Sequence, residues 1–157
     1  MKIYIKRTQN ADTRSADKTI SKEELHEQSE QHINDVQKII HWMCSMLFAV
    51  SQNHDWTKLI HIDEFHKDFA LIQRGELQNF KQMHWFKDLH LQERHHLQDR
   101  CPDDVNLFDV LERIADISAA GLARSGKIYE DTLSPEILTK AYQNTLKLVQ
   151  NNIDVKE

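Results

Sequence analysis

Three glycines and two prolines in 157 residues leave this chain few places to break a helix. Those two residues cost a helix interior most, and the intervals between them are filled with Leu, Ile, Glu, Gln and Lys, which favour it. Long helices are therefore expected, and local signals say where they start and stop. "SKEE" sets Ser21 three residues before Glu24, a capping box. Leu25, Ser29, His32, Val36, Ile39, Met43, Met46 and Val50 follow at spacings of three and four, the stripe of one helix of about 30 residues, roughly 45 Å long. A second helical piece is predicted from His54-Asp55. A third starts at Asp63, with Phe65, Phe69 and Ile72 inward and Gly75 as its stop. A fourth runs through "NFKQMHWFKDLHLQERHHL", and "RCPDD" breaks it. Asp103 or Asn106 caps a fifth, "LFDVLERIADISAAGLARSG", which ends at Gly126. "SPEIL" opens the last with Ser134 as N-cap and Pro135 in the first turn. Ahead of all this, "MKIYIKRTQ" alternates like a short strand or extended arm, and "NADTRSADK" reads as a polar loop. The expected fold is all-α: a single-domain bundle of five to six helices over 21–157, preceded by an extended arm over 1–20.

Composition removes several function classes. The formal net charge is −5 and no block of five or six basic residues occurs, which disfavours duplex nucleic acid as a partner, since such binding needs phosphate neutralisation by Lys and Arg. No apolar run approaches the roughly 18 residues of a membrane helix, and no signal-peptide apolar region opens the chain, so a cytoplasmic protein without a membrane partner is expected. Cys44 and Cys101 form no motif and read as free thiols. Ten histidines is the unusual number. Histidine is the commonest metal ligand, so their placement matters.

Four places stand out: His32, His54-Asp55, His95-His96 and Asp116. Each has an ordinary alternative. His32 fits a core histidine bonded to a carbonyl, Asp55 a helix cap, His95 and His96 a solvated helix end, and Asp116 a surface charge paired with Arg113 or Arg124. Asp116, however, shares its helix face with Asp109, Glu112, Ala119, Ala120 and Ala123. Small side chains around one carboxylate permit close approach by another helix or a ligand. Mixed imidazole and carboxylate donors suit Mn²⁺, Fe²⁺, Co²⁺, Ni²⁺ or Zn²⁺ better than Ca²⁺, with Mg²⁺ allowed. One or two such ions hold a phosphate and activate water. Lys58, one turn beyond His54-Asp55, is placed to neutralise a phosphate oxygen.

The ordered set His32, "HDWTK" and "IADIS" resembles the HD-domain metal-dependent phosphohydrolases, whose signature is H…HD…D on a helical bundle. There HD is often followed by x-x-K and the last aspartate often sits in an "AD", matched here by Lys58 and by Ala115-Asp116. "ERHHL" resembles the intermediate histidines of members that hold more than one ion. The likeness spans about residues 21–126. "KRTQNADTRSADK", "QERHHLQDRCPDDVNL" and "VLERIADI" are also similar to small proteins of tailed bacteriophages, which implies action in an infected bacterial cytoplasm. By the HD resemblance His32, His54, Asp55 and Asp116 are the primary metal ligands and His95 an extra one. His90 and His96 bind the second ion or the substrate, and Arg94 is grouped with the substrate. The implied activity is hydrolysis of a nucleotide phosphate ester, first a (deoxy)nucleoside 5′-monophosphate, with Asp55 and Lys58 catalytic. A cyclic or signalling nucleotide is the next substrate. The reading of another class is a helical interaction protein without turnover. The expected partner is a small phosphorylated substrate, with a homodimer allowed.

Overall fold

The helix-rich sequence is realised in a computed structural model that describes residues 2–7 and 20–156. The loop expected over "NADTRSADK" lies outside the described residues. The elements are β1 (Ile3–Lys6), α1 (Lys22–Asn53), α2 (Trp56–Ile60), α3 (Ile62–Gln73), α4 (Leu107–Ser125), α5 (Pro135–Asn152) and β2 (Ile153–Lys156). The described residues are all-α but for one short sheet, in which β1 and β2 pair in parallel, Ile3 opposite Ile153.

The caps form where the local chemistry asks for them. Ser21 N–H donates to Glu24 Oε2 at 3.0 Å while Glu24 N–H donates to Ser21 Oγ at 3.2 Å, satisfying two donors that a helix start leaves open. Asn106, not Asp103, caps α4, and Asp109 completes a second reciprocal box. Gly126 ends α4 with φ 69°, and Gly75 follows α3 with φ 76°, the left-handed region that glycine enters without a Cβ penalty. The Ile137 amide donates to Ser134 Oγ at the start of α5.

The chain divides into two compact units, residues 1–48 with 146–157, and residues 49–145, where the sequence reads as one domain after an arm. In the first unit the arm is β1, a paired strand whose Ile3 is buried. The apolar stripe expected on α1 needs correction in its first half. Ile39, Met43, Met46 and Val50 are half-buried, but Leu25, His32 and Val36 are exposed, and Gln28, Gln31 and Asp35 turn inward instead. The reason is the neighbour. Gln31 donates to the carbonyl of Lys6 and Lys38 to that of Tyr4, so this half of α1 meets strand backbone and presents polar groups to it.

The second unit holds two apolar clusters. Met83, Trp85 and Phe86 pack with Phe65, Ile72, Leu77, Leu89 and Leu91. Leu97, Val105, Val110 and Ala141 pack with Leu107, Leu133 and Ile137. Full burial of each such side chain contributes roughly 1.5–3 kcal/mol. The fourth predicted helix is not one helix. Its segment folds into short turns, Phe80–Gln82, Trp85–Leu89 and His90–Gln92. Met83, Trp85, Phe86, His90, Glu93, His95 and Leu97 are all buried, and an α-helix, turning 100° per residue, cannot point that set one way. Along α4, a Cβ on Gly121 would lie 2.5 Å from the Lys127 carbonyl oxygen. Only glycine lets the segment after Gly126 lie this close.

Candidate metal centre

His54 and Asp55 occupy the turn between α1 and α2. Asp55 has φ 55° and ψ 25°, and its side chain makes no capping bond to α2. Left-handed backbone is uncommon outside glycine, and aspartate and asparagine are the residues that tolerate it. The carboxylate caps no amide of α2; its Oδ2 pairs with Lys58 and its Oδ1 lies beside His90 and His95. Thr57 ties α2 to that segment: its amide donates to Glu93 Oε1 at 3.0 Å, and its hydroxyl bonds His90 Nδ1 at 2.8 Å. The segment is in turn tied to α4. Arg94 clasps Asp109 with Nε–Oδ1 at 2.7 Å and Nη2–Oδ2 at 2.9 Å, and Arg113 donates to the His95 carbonyl.

These ties bring His54, Asp55, His90, His95, His96, Glu112 and Asp116 together. His54 Nε2 lies 3.3 Å from Asp55 Oδ2 and 3.7 Å from Asp116 Oδ1. His95 Nε2 and His90 Nε2 each lie 3.7 Å from Asp55 Oδ1. Glu112 Oε1 is 2.9 Å from His54 Nδ1 and 3.1 Å from His95 Nδ1. The second of these contacts is off the hydrogen-bond line, so His95 Nδ1 is buried without a hydrogen-bond partner among the described residues, as is Asp55 Oδ1. His90 and His96 bond each other through their Nε2 atoms at 2.8 Å, and the His90 ring stacks on Trp85, centroids 4.4 Å apart. Lys58 pairs with Asp55 Oδ2. Among the described residues three overlapping groups could hold a metal ion: His54, His95 and Glu112; Asp55, His95 and His96; and His54, Asp55 and Asp116.

The electrostatics follow from burial and neighbours. Burial pushes the Asp55 carboxyl up, but the Lys58 ammonium bonded to it outweighs burial and holds it below its usual value. His90 is pushed down to about 3, by burial first and then by His96, and His96 down to about 4, by burial and then by His95. Both rings are neutral near neutrality, as ligands must be. Burial works against a charge on His95 too, yet the Glu112 carboxylate beside it raises it. Glu112 is held below its usual value, against its own burial, by His95 and His54.

Two residues expected at the site have other surroundings. His32 is exposed on α1 in the first unit and belongs to none of the three ligand groups, because the inward face of that half of α1 runs through Gln31 and Asp35. Arg94 is committed to Asp109 and Asp104, a clasp that leaves the guanidinium fork filled. Asp116 is not paired with Arg113, whose guanidinium is held by Asp131. Three residues of the site were not singled out in the sequence: Glu112, Glu93 and Thr57. For Glu112 a signal existed, since it stands one turn before Asp116 on the same face of α4. Thr57 and Glu93 carry none; their contact joins positions 36 apart.

No family model, no curated protein and no solved structure matches the chain. No described helix is long and apolar enough to cross a membrane.

Proposed function

We propose that this centre binds a divalent transition-metal ion and hydrolyses a nucleotide phosphate ester, first a (deoxy)nucleoside 5′-monophosphate. The observation that carries the reading is Asp55 Oδ1: a buried carboxylate oxygen with no hydrogen-bond partner among the described residues, faced by the Nε2 atoms of His90 and His95. An unsatisfied buried carboxylate oxygen is costly, and a cation is what such a group accepts. The residues fit an ion. Donors bound at 2.0–2.2 Å in tetrahedral geometry stand about 3.3–3.6 Å from one another, and the spacings around Asp55 and His54 run from 3.3 to 3.7 Å. His54, Asp55 and Asp116 would hold it, with Asp55, His95 and His96 as a second group for a second ion or the substrate and His90 beside them. Mixed nitrogen and oxygen donors favour Mn²⁺, Fe²⁺, Co²⁺, Ni²⁺ or Zn²⁺.

When bound, such an ion supplies Lewis-acid activation of water and of a phosphoryl oxygen. The chain supplies the rest. Lys58 carries an ammonium beside Asp55, where it balances charge that grows on the phosphoryl oxygens. His96, less buried than His90 and His95, offers a ring to the ester. The Thr57–His90 bond and the stack on Trp85 keep the histidine group rigid. A second reading, a helical interaction protein without turnover, is favoured by one observation. Leu59, Ile60 and Ile62 beside the site are 78%, 68% and 52% exposed, an apolar patch of the kind that meets partners.

The test is metal content after growth in supplemented medium, followed by a screen of mononucleotides and cyclic nucleotides with Mn²⁺, Co²⁺, Ni²⁺, Zn²⁺ or Mg²⁺. Asp55→Asn keeps the left-handed backbone, which asparagine tolerates, and removes the charge. It is expected to fold, with a metal-free melting temperature within a few degrees of wild type, and to lose both metal and turnover. Near wild-type turnover in that variant at saturating metal would sink the mechanism. A wild type that holds no metal favours the interaction reading.

A further inference from the structure

We infer that Glu112 is a positioning residue, a carboxylate whose bond to His54 Nδ1 turns the Nε2 of that ring to the ion. The inference rests on the metal centre proposed above and assigns work to a residue outside its ligand set.

The argument is a competition for a proton. A neutral imidazole carries one N–H, and the acceptor nearest a nitrogen draws the proton there. His54 has acceptors on both sides: Glu112 Oε1 at 2.9 Å from Nδ1, and Asp55 Oδ2 at 3.3 Å and Asp116 Oδ1 at 3.7 Å from Nε2. The shorter contact lies on the Glu112 side and is the one with hydrogen-bond geometry. A proton held on Nδ1 leaves the Nε2 lone pair free for an ion. A proton on Nε2 instead bonds the ring to Asp55 and closes the site upon itself. His95 Nδ1 lies 3.1 Å from the same oxygen but off the hydrogen-bond line, so the proton argument belongs to His54.

The two rings are themselves neighbours, their centroids 4.8 Å apart. The Glu112 side chain is 10% exposed, so water competes little for Oε1. Helical geometry explains why the two acceptors oppose each other. Glu112 and Asp116 are one turn apart on α4, and they reach opposite nitrogens of the same His54 ring. Partners that fix the tautomer of a ligating histidine typically change metal affinity 10–100-fold when removed.

The experiment compares wild type with Glu112→Gln by Zn²⁺ and Co²⁺ titration, by melting of the metal-free protein, and by nitrogen NMR of the imidazoles at a pH where the rings are neutral. Glutamine keeps the length but has one carbonyl acceptor and a competing NH₂. The expected result is metal affinity weaker by roughly 10–100-fold, a metal-free melting temperature close to wild type, and a proton on Nδ1 of His54 in wild type that moves toward Nε2 in the variant. Equal affinity in the two proteins overturns the inference and leaves the metal centre standing. So does a wild-type His54 protonated on Nε2, a result readable even if the variant fails to fold. A wild type that binds neither ion overturns the metal centre, and this role with it.

Discussion

On the proposed function, Lys58 would take two roles at different moments. Without an ion its ammonium is the cation that offsets the half-buried Asp55 carboxylate. An ammonium has no lone pair to donate, so it is not a ligand, and with Asp55 given over to an ion Lys58 would be free to meet a phosphoryl oxygen. Lys58→Met is expected to cost the metal-free protein about 1 kcal/mol, the upper range for a partly exposed pair, a loss that added metal makes good. Metal content should hold, while turnover falls roughly 10²–10³-fold, by analogy with loss of one oxyanion-stabilising donor. Melting curves with and without metal, bound-metal analysis and steady-state rates on the substrate found by screening read the three effects separately. Unchanged turnover would leave Lys58 as the counter-ion of Asp55 alone.

Among the elements, α4 organises the centre. It supplies Glu112 and Asp116 to the site, and Arg113 between them anchors the His95 carbonyl. Arg113 is itself gripped by Asp131, with Nε–Oδ2 and Nη2–Oδ1 both 2.8 Å, and Gln98 adds a bond to the same carboxylate. Asp131 thus belongs to the support of His95 although its segment carries no ligand. The Arg113 guanidinium holds the Asp131 carboxyl below its ordinary value. A carboxyl whose folded value lies below its unfolded one, about 3.9, contributes stability that is present above that pH and lost as pH falls through the folded value. Asp131→Asn should therefore melt below wild type near neutrality. The difference should close in acid, as wild type loses the same charge. Melting temperatures of both proteins across pH 7 to about 3 check this. A gap that stays constant in acid would assign the effect to hydrogen-bond geometry in place of charge.

At the scale of the whole molecule, the described ligand groups all fall within residues 49–145, while the two described chain ends meet as β1 and β2 in the other unit. Ile3 is the buried residue of that small sheet, 5% exposed. Ile3→Ala removes a buried aliphatic side chain and should cost about 2–5 kcal/mol. It touches no ligand, so Co²⁺ affinity should stay within about twofold, a shift well under 1 kcal/mol. Chemical denaturation with a parallel metal titration separates the two quantities. A metal affinity that collapses with Ile3→Ala would mean that the centre depends on the first unit for its form.

What the sequence by itself determined is what adjacent residues decide among themselves. Ser21 with Glu24, Asn106 with Asp109, Ser134 before Pro135, and the glycines after α3 and α4 act within one turn, so each helix start and stop is written beside the helix it bounds. His54, Asp55, His95 and Asp116 were also legible as a set, because ligand chemistry restricts which residue types qualify. The tertiary structure decided which way each of them faces. His32 carries the right chemistry on an exposed position, because strand backbone, an acceptor-rich neighbour, selects the polar face of α1. The 79–97 segment reads as a helix, but burying seven side chains in one unit required it to leave helical periodicity. Glu112 enters through His95, 17 positions away, and through a hydrogen bond to His54, 58 positions away. No local preference spans that distance; only the packing of α4 against the turn after α1 brings the two together.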